Sequence, residues 1–441
     1  MKSIWKQGTA LPHFSSLQGD IRTDVLIIGG GLAGLLCAHR LTEMGVENVL
    51  VEAEEVCGGV TGNTTAKITS QHGLLYARLL RQFGAERTRM YLEANQAALG
   101  EYRRLCAKIS CGFEERDAFV YSRSSRKALE QELAALEAVG APAELAEGLP
   151  LPFPTAGAVR FSGQAQFHPL QFAGGIAKGL KIYEHTPVRE LAPFTAVTEC
   201  GKIRAEKIIV CTHFPFLNKH GGYFLKMYQY RSYVLALRNA PDVGGMYVDA
   251  AEGGLSLRNA GELLLLGGGG HRTGGRYGGW RELEQCARQY YPGAAEQARW
   301  AAQDCMTLDG VPYIGPYSRR TRGLYVATGF NKWGMTSSMA AAMILGDLVT
   351  GRENPCAQVF STSRTVLRPQ LAANMGTAVL SLVRPAKKRC PHMGCALKWN
   401  AQERTWDCPC HGSRFTEEGR LLDNPATGGL KGCMSEEKTE S

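Results

Sequence analysis

No run of 18 apolar residues occurs in the 441-residue chain, so no transmembrane segment is expected. The first residues, MKSIWKQGTALPHF, lack the apolar stretch of a secretory signal. The expected compartment is therefore the cytoplasm. No internal repeat and no low-complexity tract is found, which excludes a solenoid or an extended biased tail. A secreted disulfide framework is missing too: of 14 cysteines, ten are scattered and four fall between Cys390 and Cys410. A reducing compartment with one special cysteine cluster fits this usage. Nor is there a long basic stripe. The formal charge of +9 is spread along the chain, with one short run at Lys387, Lys388 and Arg389. That pattern reads as solvated surface and argues against a nucleic-acid partner. An acidic redox partner is the more plausible use of such an excess.

What is present suggests a soluble protein of two or three domains, since the length exceeds one ordinary core. Hydrophobic residues make up 44% and charged residues 21%, ordinary values for a globular chain. Near the N-terminus, DVLIIG (24–29) reads as a buried strand. Gly29 to Gly34 turn the chain, Leu35 to Met44 read as a helix, and NVLVEA (48–53) as a second strand. This is a βαβ unit. Helical spacing recurs over residues 74–111 and 126–140. GLPLPFP (148–154) then opens a strand-rich section. EKIIVCT (206–212), ELLLLGG (262–268) and GLYVATG (323–329) read as strands, the last followed by a helix ending near Gly351. From Arg352 to about Gln370 the composition turns polar and reads as a linker.

Gly29-Gly30-Gly31-Leu32-Ala33-Gly34 matches G-x-G-x-x-G, and Glu52 ends the second strand about 20 residues on. Gly29 permits the tight turn, Gly31 lets a pyrophosphate approach the backbone, and Gly34 lets helix and strand pack closely. The helix start favours phosphate through its N–H groups and dipole. Glu52 is placed to accept hydrogen bonds from an adenosine ribose. LLLLGGGGHRTGG (263–275) offers no second fingerprint, so one dinucleotide is expected rather than two.

The fingerprint alone does not choose between FAD and NAD. The stretch EEVCGGVTGNTTAKITSQHG (54–73) does more: it resembles the D-amino-acid-oxidase-like FAD proteins, the group of glycine and sarcosine oxidases. The resemblance covers roughly residues 21–350. It implies FAD, with Thr61, Gly62, Asn63, Thr64 and Thr65 beside the flavin and His72 close to it as a catalytic candidate. DGVPYIGPY (309–317) and ATGFNKWGMTSS (327–338) resemble the family's C-terminal flavin segment. Gly329, Gly334, Met335 and Thr336 are its expected contacts, the last three through backbone N–H groups at a helix start. Lys67 and Lys332 flank these motifs. For a substrate carboxylate, the candidates are Arg231, Tyr233, His271 and Arg272.

Near the other end, Cys390-x-His392 and Cys408-x-x-His411 bracket a loop, residues 393–407. Tetrahedral zinc or a [2Fe–2S] centre would suit four such ligands. Zinc has no need of the two further cysteines, Cys395 and Cys410. CPHMGC and CPCHGS resemble both boxes of the Rieske family. That resemblance implies iron ligation by Cys390, His392, Cys408 and His411, and a disulfide between Cys395 and Cys410. It also implies tight turns at Gly394 and Gly412 and a hydrogen bond from Ser413 to a cluster sulfur. Phe415 stands where many high-potential members have Tyr, so a lower potential is expected. Only GTAVLSLVRPAKKR (376–389) separates the linker from Cys390, so the domain looks truncated at its start. The flavoprotein surface would have to complete it.

The expected fold is an α/β Rossmann-type FAD-binding domain with an interleaved α+β substrate domain, plus a small all-β Rieske domain. An oxidoreductase unit would span 1–362, with FAD-binding parts at about 21–73, 155–212 and 305–352. Substrate parts would lie at about 74–154 and 213–304, a linker at 363–375 and the Rieske domain at 376–441. In both halves the chain is similar to bacterial Rieske-containing FAD-dependent oxidoreductases. The resemblance implies a dehydrogenase that takes hydride from a small amine or amino-acid-like substrate. Single electrons would leave through the Rieske cluster to an external acceptor. An electron-transfer or redox-sensing protein without a small organic substrate is the rival; a tail that merely docks a partner is a third. A homo-oligomer is left open.

Overall fold

A computed structural model of the chain describes residues 2–217, 220–275 and 278–430. The end of the expected Rieske domain, 431–441, lies outside them. Three sheets carry the fold. The parallel part of the first runs, in spatial order, Leu324–Thr328, Lys202–Val210, Ile21–Ile28, Asn48–Val51 and Ile182–Tyr183. Val25 to Ile28 are all buried, which is why the strand reads as an unbroken apolar run rather than an alternating one. Helix Leu32–Glu43 follows this strand and packs against helix Gly334–Val349. The two flavin motifs, some 300 residues apart, are thereby brought side by side.

The second sheet has nine strands. Its long strand Met227–Arg238 lies between Leu263–Arg272 and Ala295–Thr307, antiparallel to both. The third sheet is a four-stranded antiparallel meander, Lys398–Asn400, Thr405–Asp407, Arg414–Thr416 and Leu421–Asp423. The architecture is therefore the expected one: a Rossmann-type part, an interleaved substrate part and a small all-β tail.

The stretch expected as a linker differs. Pro369–Val383 is one continuous helix, running from inside 363–375 into the expected Rieske domain. Pro369 sits in its first turn, where the missing N–H costs nothing. Good helix formers follow it, and Gly376 alone does not break the helix. The small sheet does not stand by itself. It lies against the second sheet of the flavin half, through contacts described below.

Candidate functional site

The glycine turn is built by close approach. Gly29 has φ +109°, and a Cβ on Gly34 would lie 1.9 Å from the Gly29 carbonyl oxygen. No side chain fits at Gly34 while helix and strand stay packed. A Cβ on Gly31 would meet nothing nearer than Thr61 Oγ1 at 3.5 Å, so that position faces open space. Leu32 N–H, in the first turn, donates to Thr61 Oγ1 at 3.0 Å. Glu52 accepts from Gly30 N at 2.6 Å and from Glu54 N at 3.0 Å. Burial raises its pKa, against those hydrogen bonds.

Above the turn opens a cavity of about 900 Å³, within the range of cofactor and ligand pockets. It runs from Gly29, Gly31 and Glu52, past Thr61, Asn63, Thr64 and Thr65, to Gly329, Gly334 and Met335. Gly34, Gly62 and Thr336 are not on its wall and support it from behind. Ser3 donates to Gly62 O at 2.5 Å. Thr336 Oγ1 donates to Thr69 O at 3.0 Å.

His72 lies on the wall with both ring nitrogens engaged. Nδ1 meets Tyr91 OH at 2.6 Å; Nε2 meets Thr69 O at 2.8 Å and Thr336 Oγ1 at 3.0 Å. Its ring stacks on Trp333 at 4.9 Å. Burial pushes its pKa down to about 3. It is a neutral imidazole that positions the start of helix Gly334–Val349, with no nitrogen left for a substrate proton.

The wall also carries charges. Lys332 Nζ sits over the Tyr230 ring, 3.8 Å from its centroid. Burial lowers the Lys332 pKa, partly opposed by Asp304, and burial raises that of Asp304. Lys67 donates to Ser256 Oγ at 2.5 Å, and burial brings it to about 7. Arg78 completes the set. Sequence reasoning noted the two lysines and missed Asp304 and Arg78. The alternation of strand Ala295–Thr307, with Ala302 and Asp304 on the cavity, was the available signal.

In the tail, two loops are built alike. Gly394 N donates to Cys390 O at 2.9 Å, and Gly412 N to Cys408 O at 3.0 Å. Cys390 N donates to Cys395 O, and Cys408 N to Ser413 O, both at 2.9 Å. Gly394 and Gly412 have φ +76° and +82°, which only glycine adopts cheaply. The loops bring the His392 and His411 rings to 5.0 Å at 88°. Cys390, Cys395, Cys408 and Cys410 are all buried. His411 Nδ1 is buried with no hydrogen-bond partner among the described residues, as a ligand atom awaiting iron would be. Cys390 lies beside Cys408 and His392 beside His411, and a donor set of two thiols and two imidazoles suits a [2Fe–2S] cluster. Cys395 and Cys410 are unbonded thiols here, so the expected disulfide is not present in this structure; their Sγ atoms and that of Cys408 lie within 4.8 Å of one another. Ser413 Oγ accepts from Ala426 N at 3.0 Å and also lies beside Cys390.

Four expected substrate residues belong mainly to the junction between the halves. Arg231 grips Glu403 of the tail, its Nε donating at 2.8 Å, in a buried ion pair. Tyr233 OH donates to Glu403 at 3.1 Å and meets His271 Nε2 at 3.0 Å. Arg272 reaches Asn374 Oδ1 at 2.9 Å, Pro409 O at 3.3 Å and Cys410 O at 3.4 Å. Of the four, only Tyr233 also lines the cavity. The signal that would have reassigned the arginines is Glu403, an acid in a tail hairpin, which nothing in its local sequence ties to residue 231. Two glutamines were missed as well. Gln303 Nε2 donates to Gly412 O at 2.9 Å. Gln229 packs where a Gly412 Cβ would stand, 2.2 Å from its Cγ.

Fold and paired sites define a flavin-dependent oxidoreductase with an iron–sulfur tail. The chain belongs to the FAD dependent oxidoreductase family, which it matches over residues 24–348. Residues 377–433 match the Rieske [2Fe-2S] domain. FAD and a Rieske cluster are thus its two cofactors. A protein of Bacillus subtilis (strain 168) named as a Rieske 2Fe-2S iron-sulfur protein, YhfW, is 35% identical over 493 residues, covering 98% of this chain and 97% of that one. Cytochrome b6-f complex iron-sulfur subunit 1 of Nostoc sp. (strain PCC 7120) is 42% identical over 52 residues, 12% of this chain and 28% of that one. Among solved structures, glycine oxidase from Geobacillus kaustophilus has a TM-score of 0.66 at 20% identity, covering 78% of this chain and 99% of that one. L-proline dehydrogenase from P. horikoshii has 0.65 at 16%, covering 79% and 98%. At these identities the likeness is one of fold. Among the described residues, no helix is long and apolar enough to cross a membrane.

Proposed function

We propose that the chain oxidises a small amine or amino-acid-like substrate in the cavity and delivers the electrons singly, through its own tail, to an external acceptor. One observation carries this reading. Strand Ala295–Thr307 separates the two sites by a single layer: Ala302 and Asp304 line the cavity, while Gln303 between them donates to Gly412 of the second cluster loop. A second bridge runs parallel to it. Asn424 Nδ2, in the tail, donates to Thr212 O at 2.7 Å and Phe214 O at 3.0 Å, and both Asn424 and Thr212 line the cavity.

Bound FAD supplies hydride acceptance and the Rieske cluster single-electron carriage. The chain supplies the rest. The glycine turn and Glu52 bind and orient the adenosine end. Helix Gly334–Val349 points its N-terminus at the cavity and favours negative charge there. Asp304, raised by burial, is the group we assign to take the proton of a substrate ammonium. Lys332 and Arg78 are assigned to face a carboxylate. The oxidised product is an imine, which water hydrolyses. A cytoplasmic location accords with the scattered free thiols.

The redox-relay reading without an organic substrate is favoured by one fact: Arg231 and Arg272, expected to bind substrate, are engaged by the tail. One experiment separates the two. The holoprotein is mixed anaerobically with amines and amino acids in a stopped-flow device, following flavin and cluster absorbance. The proposal expects flavin bleaching, then cluster reduction without mediator. A reduced flavin beside an oxidised cluster would overturn the internal relay. A flavin that no amine bleaches would favour the rival.

A further inference from the structure

Helix Pro369–Val383 is packed inside out. Its buried residues are Asn374 and Ser381, both polar. Its large apolar residues point away from the protein: Met375, Val379, Leu380, Leu382 and Val383 are 52%, 57%, 69%, 47% and 71% exposed. Leu367 before the helix and Met393 in the first cluster loop are exposed as well. Seven of the eleven large apolar residues exposed among the described residues thus fall between 367 and 393. A contiguous patch of this kind marks a binding face.

Along the chain its charge is of one sign, with Glu417 brought beside the basic run, where its backbone carbonyl accepts from Lys388 Nζ at 3.1 Å. From Asn354 to Gln402 the chain has no Asp or Glu and seven Lys or Arg. Arg364 is used internally, against buried Asp309. Among the described residues, no carboxylate pairs with Arg368, Arg384, Lys387, Lys388 or Arg389. Arg389 instead donates to Leu382 O at 3.2 Å and Gly394 O at 2.8 Å, folding the basic run onto the helix end. Ala396 N donates to Ser381 O at 2.9 Å. Helix end, basic run and the His392 loop therefore form one edge.

We propose that this edge binds the surface of an anionic lipid bilayer. The helix lies in the interface with its aliphatic face among the acyl chains, and the basic run meets lipid phosphates. The cluster loop carrying His392 and Met393 then faces the lipid, so a membrane-resident acceptor can take the electrons. That last clause rests on the proposed electron exit; the membrane binding does not. A bilayer fits this face better than its competitors. The exposed side chains are aliphatic, without the aromatic anchors of protein hot spots. A second copy would bring the same excess of cations against it and leave most of both sets unpaired.

The test uses oxidised full-length holoprotein without substrate, so it reads binding independently of turnover. The protein is sedimented with phosphatidylcholine vesicles, with or without phosphatidylglycerol. Binding to the anionic vesicles only, weakened by salt, is expected. Lys387→Gln and Lys388→Gln should each weaken it about five-fold. Leu380→Asn with Val383→Asn should abolish it while FAD and cluster spectra stay unchanged. A holoprotein left in the supernatant at low salt overturns the proposal and points to an acidic protein partner. Variants that bind like the native chain overturn it too. So does a dimer that avoids vesicles and is broken by the Leu380/Val383 change, which would make the face a self-interface.

Discussion

Arg231 and Glu403 form a buried ion pair across 172 residues of sequence. Arg231 belongs to the flavin half and Glu403 to the tail. Glu403 also accepts from Arg414 at 2.8 Å and from Tyr233 at 3.1 Å. This is the charged centre of the contact between the halves.

Removing Glu403 leaves two buried guanidinium groups short of a counter-charge. Glu403→Ala should cost about 3–5 kcal/mol of docking stability. Arg231→Met with Glu403→Leu should cost much less, since Arg414 keeps Asp407 at 3.0 Å. Denaturant titration followed separately by flavin fluorescence and cluster absorbance checks this. A loss under about 1 kcal/mol for Glu403→Ala would mean the pair is incidental.

Acid should undock the tail. Burial alone would raise the Glu403 pKa, but Arg231 and Arg414 hold it down to about 2, against an ordinary 4.5. A depressed carboxylate stabilises the docked state above its ordinary pKa. That contribution is lost as pH falls from 4.5 towards 2. Limited proteolysis across that window should show tail release, and Glu403→Gln should flatten the response. An identical profile in both proteins would assign the acid effect to other groups.

The two fingerprint glycines should fail differently. Gly31→Ala has room in the protein and should fold with stability within about 0.5 kcal/mol. It intrudes on the phosphate path, so FAD affinity should fall about 10- to 100-fold, the worth of one charged hydrogen bond. Gly34→Ala drives its Cβ into the Gly29 carbonyl and should lose fold and FAD together. FAD release with thermal unfolding distinguishes them. Full FAD retention in Gly31→Ala would refute the assigned path.

Gln303→Ala removes the donor to Gly412 O at the thin wall. An unpaired buried carbonyl costs about 1–3 kcal/mol. Cluster reduction should slow while flavin bleaching keeps its rate. Unchanged cluster kinetics would leave Gln303 a packing residue.

His411→Ala should erase the Rieske electron paramagnetic resonance signal and leave FAD bound, because His411 does not line the cavity. Iron content should fall with the signal. One zinc per chain and no sulfide in the native protein would refute the cluster.

The cofactors were legible in the sequence because each has a diagnostic motif within a short segment. Gly29 to Glu52 form one strand–turn–helix–strand unit, and Cys390 to Ser413 two tight turns. Backbone geometry over a few residues dictates both, so residue type and spacing suffice. The parallel sheet was legible too, because strands buried on both faces read as apolar runs.

Tertiary structure decided the partners. Arg231 and Arg272 look like substrate cations on their strands; what meets them is set by where a tail some 140 to 170 residues later comes to rest. His72 was expected close to the flavin as a catalytic candidate, but only the fold revealed Tyr91, Thr69 and Thr336 occupying both its nitrogens. Helix Pro369–Val383 shows the limit most plainly. Its residue types specify a helix, since helix propensity and the N-terminal proline act within the segment. Which face it buries depends on what lies beneath. Arg272 and the cluster loop offer polar groups there, so Asn374 and Ser381 turn inward and Leu380 and Leu382 are left outside.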